Sequence, residues 1–218
     1  MKTYATLGPA CCRADLLTEL LDMGLTGFRL NLSHTTLAAC RPWTDAVQAA
    51  RQASGRDAEL IIDMRGPELR MGALPQPVPL AEGDSAILGP GGLPVEPDIL
   101  AAVTPGQEIL LDDGLIALRA ESCGRAVTCT VTRGGVLESR KSITLPGVEL
   151  CRPALTEQDL LDLDNAAGQG VTAVMQPFVR SRHELEQVRA ALARRGLEHL
   201  TIFAKIEDRQ GWQSLPQW

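Results

Sequence analysis

The stretch TGFRLNLSHTTLAACRPWTDAVQAARQASGRDAELIIDM, residues 26–64, predicts a strand, a helix and a second strand in direct succession. Residues 26–32 and 59–64 are short apolar runs, whereas apolar residues recur at helical spacing over residues 37–53 before Gly55 ends the run. Strands and helices that alternate with short connections are typical of a parallel sheet or barrel. The stretch therefore predicts an α/β fold.

The same alternation recurs on both sides of this stretch. Residues 2–7 and 13–23 predict a strand and a helix before it, and residues 156–206 predict two further helices, each followed by a strand. Five strands at this spacing correspond to about five of the eight units of a TIM-type barrel. We therefore predict an incomplete (β/α)8 barrel domain formed by residues 1–72 and 152–218.

The intervening residues, 73–151, have a different pattern. They are rich in proline and glycine and contain short β-like runs without a convincing helix. The predicted strands cover residues 85–88, 108–111, 115–121, 126–133 and 141–144. This pattern predicts a small all-β barrel domain inserted into the α/β body.

Composition excludes several classes of protein. The chain has 218 residues, with 21 Lys and Arg against 27 Asp and Glu, so its formal charge of −6 argues against nucleic-acid binding. Residues 1–12 lack the apolar segment of a signal peptide, and no apolar run approaches 18 residues, so we expect a soluble cytoplasmic protein without a membrane partner. The six cysteines form no C-x-x-C pair, which argues against a zinc site or a disulfide framework.

Three of the predicted body strands end in polar residues with a spacing of two. They are Arg29, Asn31 and Ser33, then Asp63 and Arg65, and finally Lys205 and Glu207. Residues two apart share one face of a strand, and the carboxyl ends of barrel strands surround one pocket. Any one pair, taken alone, is more simply a structural ion pair, but three sets at equivalent positions predict an anion site bridged by a metal.

Several motifs resemble those of the pyruvate kinase family, in the same order. They are TLGPA (6–10), FRLNLSH (28–34), IIDMRGPELR (61–70) and AKIEDRQG (204–211), with ILLDDGLIAL (109–118) and SRKSITLPGVELCRPALTEQD (139–159) in and after the insert. The resemblance implies phosphoryl transfer from phosphoenolpyruvate to ADP, giving pyruvate and ATP in glycolysis. Such transfer depends mainly on positioning and charge stabilisation.

The resemblance also implies roles for individual residues. Arg29 would hold the substrate phosphate, Lys205 would lie against the transferring phosphoryl group and the enolate oxygen, and Glu207 would ligate Mg²⁺ or Mn²⁺. A K⁺ site would take the side chains of Asn31, Ser33 and Asp63 and the backbone carbonyl of Met64, with Glu68 marking K⁺ dependence, and His34 and Arg70 would lie near the nucleotide phosphates.

The sequence also departs from the family pattern. Met64-Arg65 replaces the usual Thr-Lys, and Gln176-Pro177 replaces the usual Ala-Ser. After Gly211 the family continues to a second Mg²⁺ carboxylate and to a C-terminal domain with contacts between the subunits of its usual homo-oligomers, so we expect the 218 residues to be truncated and inactive alone. A non-catalytic module that binds phosphoenolpyruvate or nucleotide is the alternative, and a Mg²⁺-dependent lyase acting on pyruvate or its enol is a more distant one.

Overall fold

The computed structural model describes residues 1–33, 35–148, 150 and 152–217. The chain divides into two compact units, which are described separately below. One unit consists of Met1–Pro67 and Pro153–Trp218, and the other of Glu68–Arg152. The predicted domain boundaries at residues 73 and 151 stay predictions.

The first segment of the discontinuous unit contains three strands and two helices. They are β1 (Tyr4–Thr6), α1 (Ala14–Asp22), β2 (Gly27–Asn31), α2 (Arg41–Ser54) and β3 (Glu59–Asp63). Helix α2 has proline in its first turn, where a missing N–H costs nothing, and ends at Gly55 with φ of 65°. The predicted order of strand, helix and strand is confirmed, although α2 begins four residues later than residue 37.

The continuous unit is mainly antiparallel sheet. Its elements are β4 (Val78–Leu80), β5 (Ser85–Leu88), α3 (Pro97–Ala102), β6 (Glu108–Leu111), β7 (Ile116–Ser122), β8 (Val127–Arg133), β9 (Gly135–Leu137) and β10 (Ile143–Thr144). Five strands form one sheet in the order β10-β6-β7-β8-β5, and β4 pairs with β9. The prediction that this segment lacks a helix was wrong, because proline in the first turn and Asp98 next to it start the short helix α3.

The chain then returns to the discontinuous unit and resumes the alternation. The elements are α4 (Glu157–Ala166), β11 (Ala173–Gln176), α5 (Arg182–Ala193), β12 (Thr201–Ala204) and α6 (Arg209–Ser214). Thr156 and Ser181 begin α4 and α5 with capping boxes, in which each hydroxyl accepts an N–H three residues later and that residue's carboxylate accepts the N–H of the cap. The predicted strand over residues 171–178 is shorter, since Pro177 has no N–H and Phe178 has φ of 54°.

The five strands of this unit form one sheet in the order β1-β2-β3-β11-β12, and every neighbouring pair is parallel. One face carries buried side chains such as Leu30, Leu60, Ile62 and Val174, which pack in the same core as the helices. Because side chains alternate along a strand, the intervening residues lie on the opposite face. The protein is thus an α/β protein with a parallel sheet. Among the residues described, no helix combines the length and apolar character needed to cross a membrane.

Candidate active site

Asp63 is the centre of a cluster of charged side chains at the end of β3. The residue is only 2% exposed. Its Oδ2 accepts hydrogen bonds from Nη2 of Arg29 and, at 3.0 Å, from Nε of the same residue. Nζ of Lys205 lies 3.4 Å from each carboxylate oxygen. One buried carboxylate therefore holds two cations, each about 30% exposed, side by side.

The parallel register explains why these residues meet. Residue Arg29 pairs with Ile61 and Asn31 pairs with Asp63 across β2 and β3, so the side chains of the two strands lie level with one another. Residue Lys205 directly follows β12, and its N–H donates to the carbonyl of Gln176 at 2.9 Å, continuing the parallel pairing beyond the strand. Parallel strands bring their carboxyl ends to one edge, which places the three charges together.

Glu207 extends the cluster on the side of Lys205. Its Oε1 lies 3.3 Å from Nζ of Lys205, and its Oε2 accepts the backbone N–H of Phe178 at 3.0 Å. Phe178 has a positive φ of 54°, an uncommon conformation for a bulky residue. About a third of the Glu207 side chain is exposed, so the carboxylate is positioned by the protein and still accessible to a ligand.

Thr6 is a member of this site that no pattern in the sequence assigned. Its Oγ1 accepts a hydrogen bond from Nη1 of Arg29 at 3.2 Å. The guanidinium is thereby oriented by Thr6 on one side and Asp63 on the other. Thr6 pairs with Arg29 in the parallel register of β1 and β2. The sequence could have indicated Thr6 as a neighbour of Arg29 only if that register had been known.

The predicted K⁺ ligands lie at the ends of β2 and β3. Asn31 Oδ1 accepts the N–H of Ser33 at 3.0 Å, which orders the turn that follows β2. The Met64 side chain belongs to the hydrophobic core and its N–H donates to the carbonyl of Met175 at 3.0 Å, so the backbone carbonyl is the group that Met64 could offer to an ion. These groups offer hydroxyl, amide, carboxylate and carbonyl oxygens, a donor set that fits K⁺. His34 lies outside the described residues.

The predicted Mg²⁺ site rests on Glu207. The described residues contain no group of three or more His, Cys, Asp or Glu side chains able to hold a metal ion. Mg²⁺ commonly binds one or two protein carboxylates and completes its octahedral shell with water and substrate oxygens. Glu207 fits that pattern as a single protein ligand, so a bound ion would need oxygens from the substrate or water.

Two predicted residues belong to the other compact unit. Arg70 donates from Nε and Nη2 to Oε2 of Glu68, at 3.0 and 2.6 Å, and from Nη1 to the carbonyl of Arg140 at 2.9 Å. The two side chains are a quarter or less exposed. Within its own unit the Glu68 carboxylate is therefore paired with an arginine.

The two departures from the family pattern have structural consequences within the discontinuous unit. Arg65 donates from Nη2 to the backbone carbonyls of Leu32 and Thr35, at 3.4 and 3.2 Å, so its charge contacts the turn after β2. The Gln176 side chain is buried, and its Nε2 donates to the carbonyl of Ala154 at 2.6 Å. The side chains of Arg65 and Gln176 thus both bind neighbouring backbone.

The fold and the cluster define an α/β protein with a cation-rich site at the carboxyl ends of parallel strands. The family model described as pyruvate kinase, barrel domain, matches residues 1–217. The chain is 35% identical over 215 residues to the pyruvate kinase of Aeropyrum pernix, covering 97% of this chain and 47% of that protein. It is 32% identical to the pyruvate kinases of Chlamydia pneumoniae and Geobacillus stearothermophilus, covering 96% of this chain in both cases and 46% and 38% of those proteins.

The chain therefore belongs to the pyruvate kinase family. The resemblance of the sequence motifs is confirmed. The chain spans about half the length of the curated relatives it matches, or somewhat less.

Proposed function

We propose that the chain acts in phosphoryl transfer from phosphoenolpyruvate to ADP, giving pyruvate and ATP. The observation that carries the proposal is the grouping of Arg29 and Lys205 around the buried carboxylate of Asp63, with Glu207 beside Lys205. Family membership supports the same reaction class. The five parallel strands are, in this proposal, part of an eight-unit barrel, and residues 73–151 form an inserted domain.

Each charge has a task in this reaction. Arg29 presents a planar guanidinium, oriented by Thr6 and Asp63, that can bind two oxygens of the substrate phosphate. Nζ of Lys205 stabilises negative charge on the transferring group and on the enolate oxygen as the P–O bond breaks. Asp63 keeps the two cations close together in the absence of substrate, and its negative charge limits their mutual repulsion.

The ions complete the proposal. Glu207 would ligate Mg²⁺, which neutralises charge on phosphoryl oxygens when bound. The oxygens of Asn31, Ser33, Asp63 and Met64 would bind K⁺. The positions of His34 and Arg70 near nucleotide phosphates, the role of Glu68 in K⁺ dependence and a cytoplasmic location stay predictions.

A second candidate is a module that binds phosphoenolpyruvate without turnover. It is favoured by the described metal ligands, since Glu207 provides one carboxylate and no larger metal-binding group is found among the described residues. This second candidate predicts that the 218 residues alone bind phosphoenolpyruvate and show no turnover in a coupled pyruvate assay. Turnover by this chain would favour the complete activity instead.

Calorimetric titration with phosphoenolpyruvate, in the presence of Mg²⁺ and K⁺, tests the substrate-binding site that both candidates share. Arg29→Met should weaken binding by about tenfold or more, since a charge-assisted pair with phosphate is lost. The matched control is Arg41→Met, because Arg41 is an exposed arginine at the start of α2 whose Nε pairs with Asp45 on the same helix. Equal affinity in wild type and Arg29→Met, or no binding by a folded wild-type chain, would contradict the proposed site.

A further inference from the structure

Helix α4 carries two fully buried carboxylates near its first turn, Asp159 and Asp162. Buried carboxylates are rare unless they are paired or hydrogen-bonded, so the groups that bind them indicate which parts of the structure they stabilise. Neither residue was assigned a role from the sequence. Both bind the backbone of turns that follow the sheet strands carrying the charged cluster.

Asp159 binds the turn that follows β3. Its Oδ1 accepts the N–H of Arg65 at 2.8 Å, and its Oδ2 accepts the N–H of Gly66 at 3.1 Å. The same carboxylate accepts the N–H and hydroxyl of Thr156, at 2.8 and 2.7 Å, within the capping box of α4. Asp159 thus joins the start of α4 to the backbone directly after Met64.

The turn after β3 has little room to shift. Gly66 has φ of 61°, and a Cβ built on it would lie 2.4 Å from Cγ of Pro177. A side chain at this position would be excluded both by the conformation and by the contact. The turn is therefore packed closely against the loop after β11 and held from the other side by Asp159.

The turn after β2 is bound by the same group of residues. Nη2 of Arg65 donates to the carbonyls of Leu32 and Thr35, which lie on either side of Ser33. A few residues later the N–H of Leu37 donates to Oδ1 of Asp162 at 2.7 Å. Arg65 is therefore held through its backbone by Asp159 and holds, through its side chain, the turn that contains Ser33.

We propose that Asp159 and Arg65 are positioning residues that set the spacing between the two halves of the monovalent-cation site. One half, Asn31 and Ser33, belongs to the turn held by the Arg65 side chain, and the other, Asp63 and the Met64 carbonyl, precedes the turn held by Asp159. The inference rests on the cation site of the proposed function. Partners that orient metal ligands from behind typically change metal affinity by about 10- to 100-fold when removed.

Cation affinity can be measured without activity. The melting temperature of the chain is recorded against KCl concentration, with tetramethylammonium chloride keeping the ionic strength constant, since a ligand that binds the folded state raises the melting temperature. We expect Asp159→Asn to raise the half-saturating K⁺ concentration by about tenfold or more. Asp164→Asn is the matched control, because Asp164 lies on the same helix with a side chain that is 53% exposed.

A second pair of variants leaves the α4 cap intact. Arg65→Met removes the guanidinium while Asp159 keeps its backbone and capping contacts, and Arg65→Lys restores a cation near the same carbonyls. We expect weaker K⁺ binding in Arg65→Met and partial recovery in Arg65→Lys. These variants test the proposal even if Asp159→Asn does not fold.

The outcomes separate the inference from the function on which it rests. Variants that lower the melting temperature without K⁺, yet keep the half-saturating K⁺ concentration within about twofold of wild type, would reduce Asp159 and Arg65 to structural contacts and overturn the proposal. A wild-type chain that responds equally to K⁺ and tetramethylammonium would overturn the cation site and the inference with it. Phosphoenolpyruvate titration of the same sample then reports separately on the substrate site.

Discussion

Replacing Asp63 by asparagine removes the negative charge that holds Arg29 and Lys205 together. Asparagine has nearly the same shape and keeps one acceptor oxygen, so the strand and the core need not move. Two cations would then face a neutral amide, whereas in the wild type Nζ of Lys205 lies 3.4 Å from each carboxylate oxygen. The variant therefore tests electrostatics rather than packing.

The loss in free energy of unfolding can be estimated from the burial of Asp63 and its partners. Removing one partner of a fully buried ion pair costs about 3–5 kcal/mol. Here the carboxylate is 3% exposed while its two cations are 29% and 30% exposed, so water can solvate part of the charge that is left behind. We expect Asp63→Asn to lower the free energy of unfolding by about 2–3 kcal/mol, below the range for a fully buried pair. For a chain of this size that corresponds to about 4–12 °C in melting temperature.

Urea denaturation followed by tryptophan fluorescence is a suitable assay. Trp43 and Trp212 belong to the discontinuous unit that contains Asp63, and residues 68–152 contain no tryptophan. Asp164→Asn, which removes an exposed pairing with Arg195, should cost less than about 1 kcal/mol. An Asp63→Asn variant within about 0.5 kcal/mol of wild type would refute the view that the cluster is held together by this carboxylate.

Two further expectations concern titratable groups. Burial raises the pKa of Asp162 above its ordinary value, so the folded state favours the protonated carboxyl. The stability that this protonated group contributes is fully present below the unfolded-state pKa of about 3.9, and it is lost as the pH rises through the folded-state pKa. Asp162→Asn should therefore gain stability relative to wild type between acid and neutral pH in urea titrations, and a difference that does not change with pH would contradict this. Burial raises the pKa of Cys129 to about 11, whereas Cys123 is exposed. Iodoacetamide near pH 8 should alkylate Cys123 first and Cys129 only after unfolding, as peptide mass spectrometry would report; equal rates in the folded chain would count against the burial of Cys129.

The cysteines also bear on the sequence interpretation. Cys11, Cys12, Cys40, Cys123 and Cys129, which are the cysteines among the described residues, are all free thiols. The absence of C-x-x-C spacing argued against a zinc site and a disulfide framework; the free thiols agree with the second expectation, and the first stays a prediction.

Local patterns predicted the α/β elements well where one face of an element is buried. Alternation along β2 and β3 placed Arg29, Asn31 and Asp63 on one face, because successive side chains of a strand point in opposite directions. The start of α2 was predicted at residue 37, four residues too early, because a long-range contact overrides the local pattern there. Leu37 fits the helical spacing, but its N–H donates to Asp162, far along the chain, and the helix begins only at Arg41.

What the sequence by itself determined is the set of strands, helices and polar strand ends, since these depend on residue periods, caps and breakers within a few positions. The tertiary structure decided which charges meet. Asp63 binds both Arg29 and Lys205, which are 34 and 142 residues away, and Asp159 binds Arg65 across 94 residues. Such pairings depend on strand order and register, and no local spacing of residues contains that information.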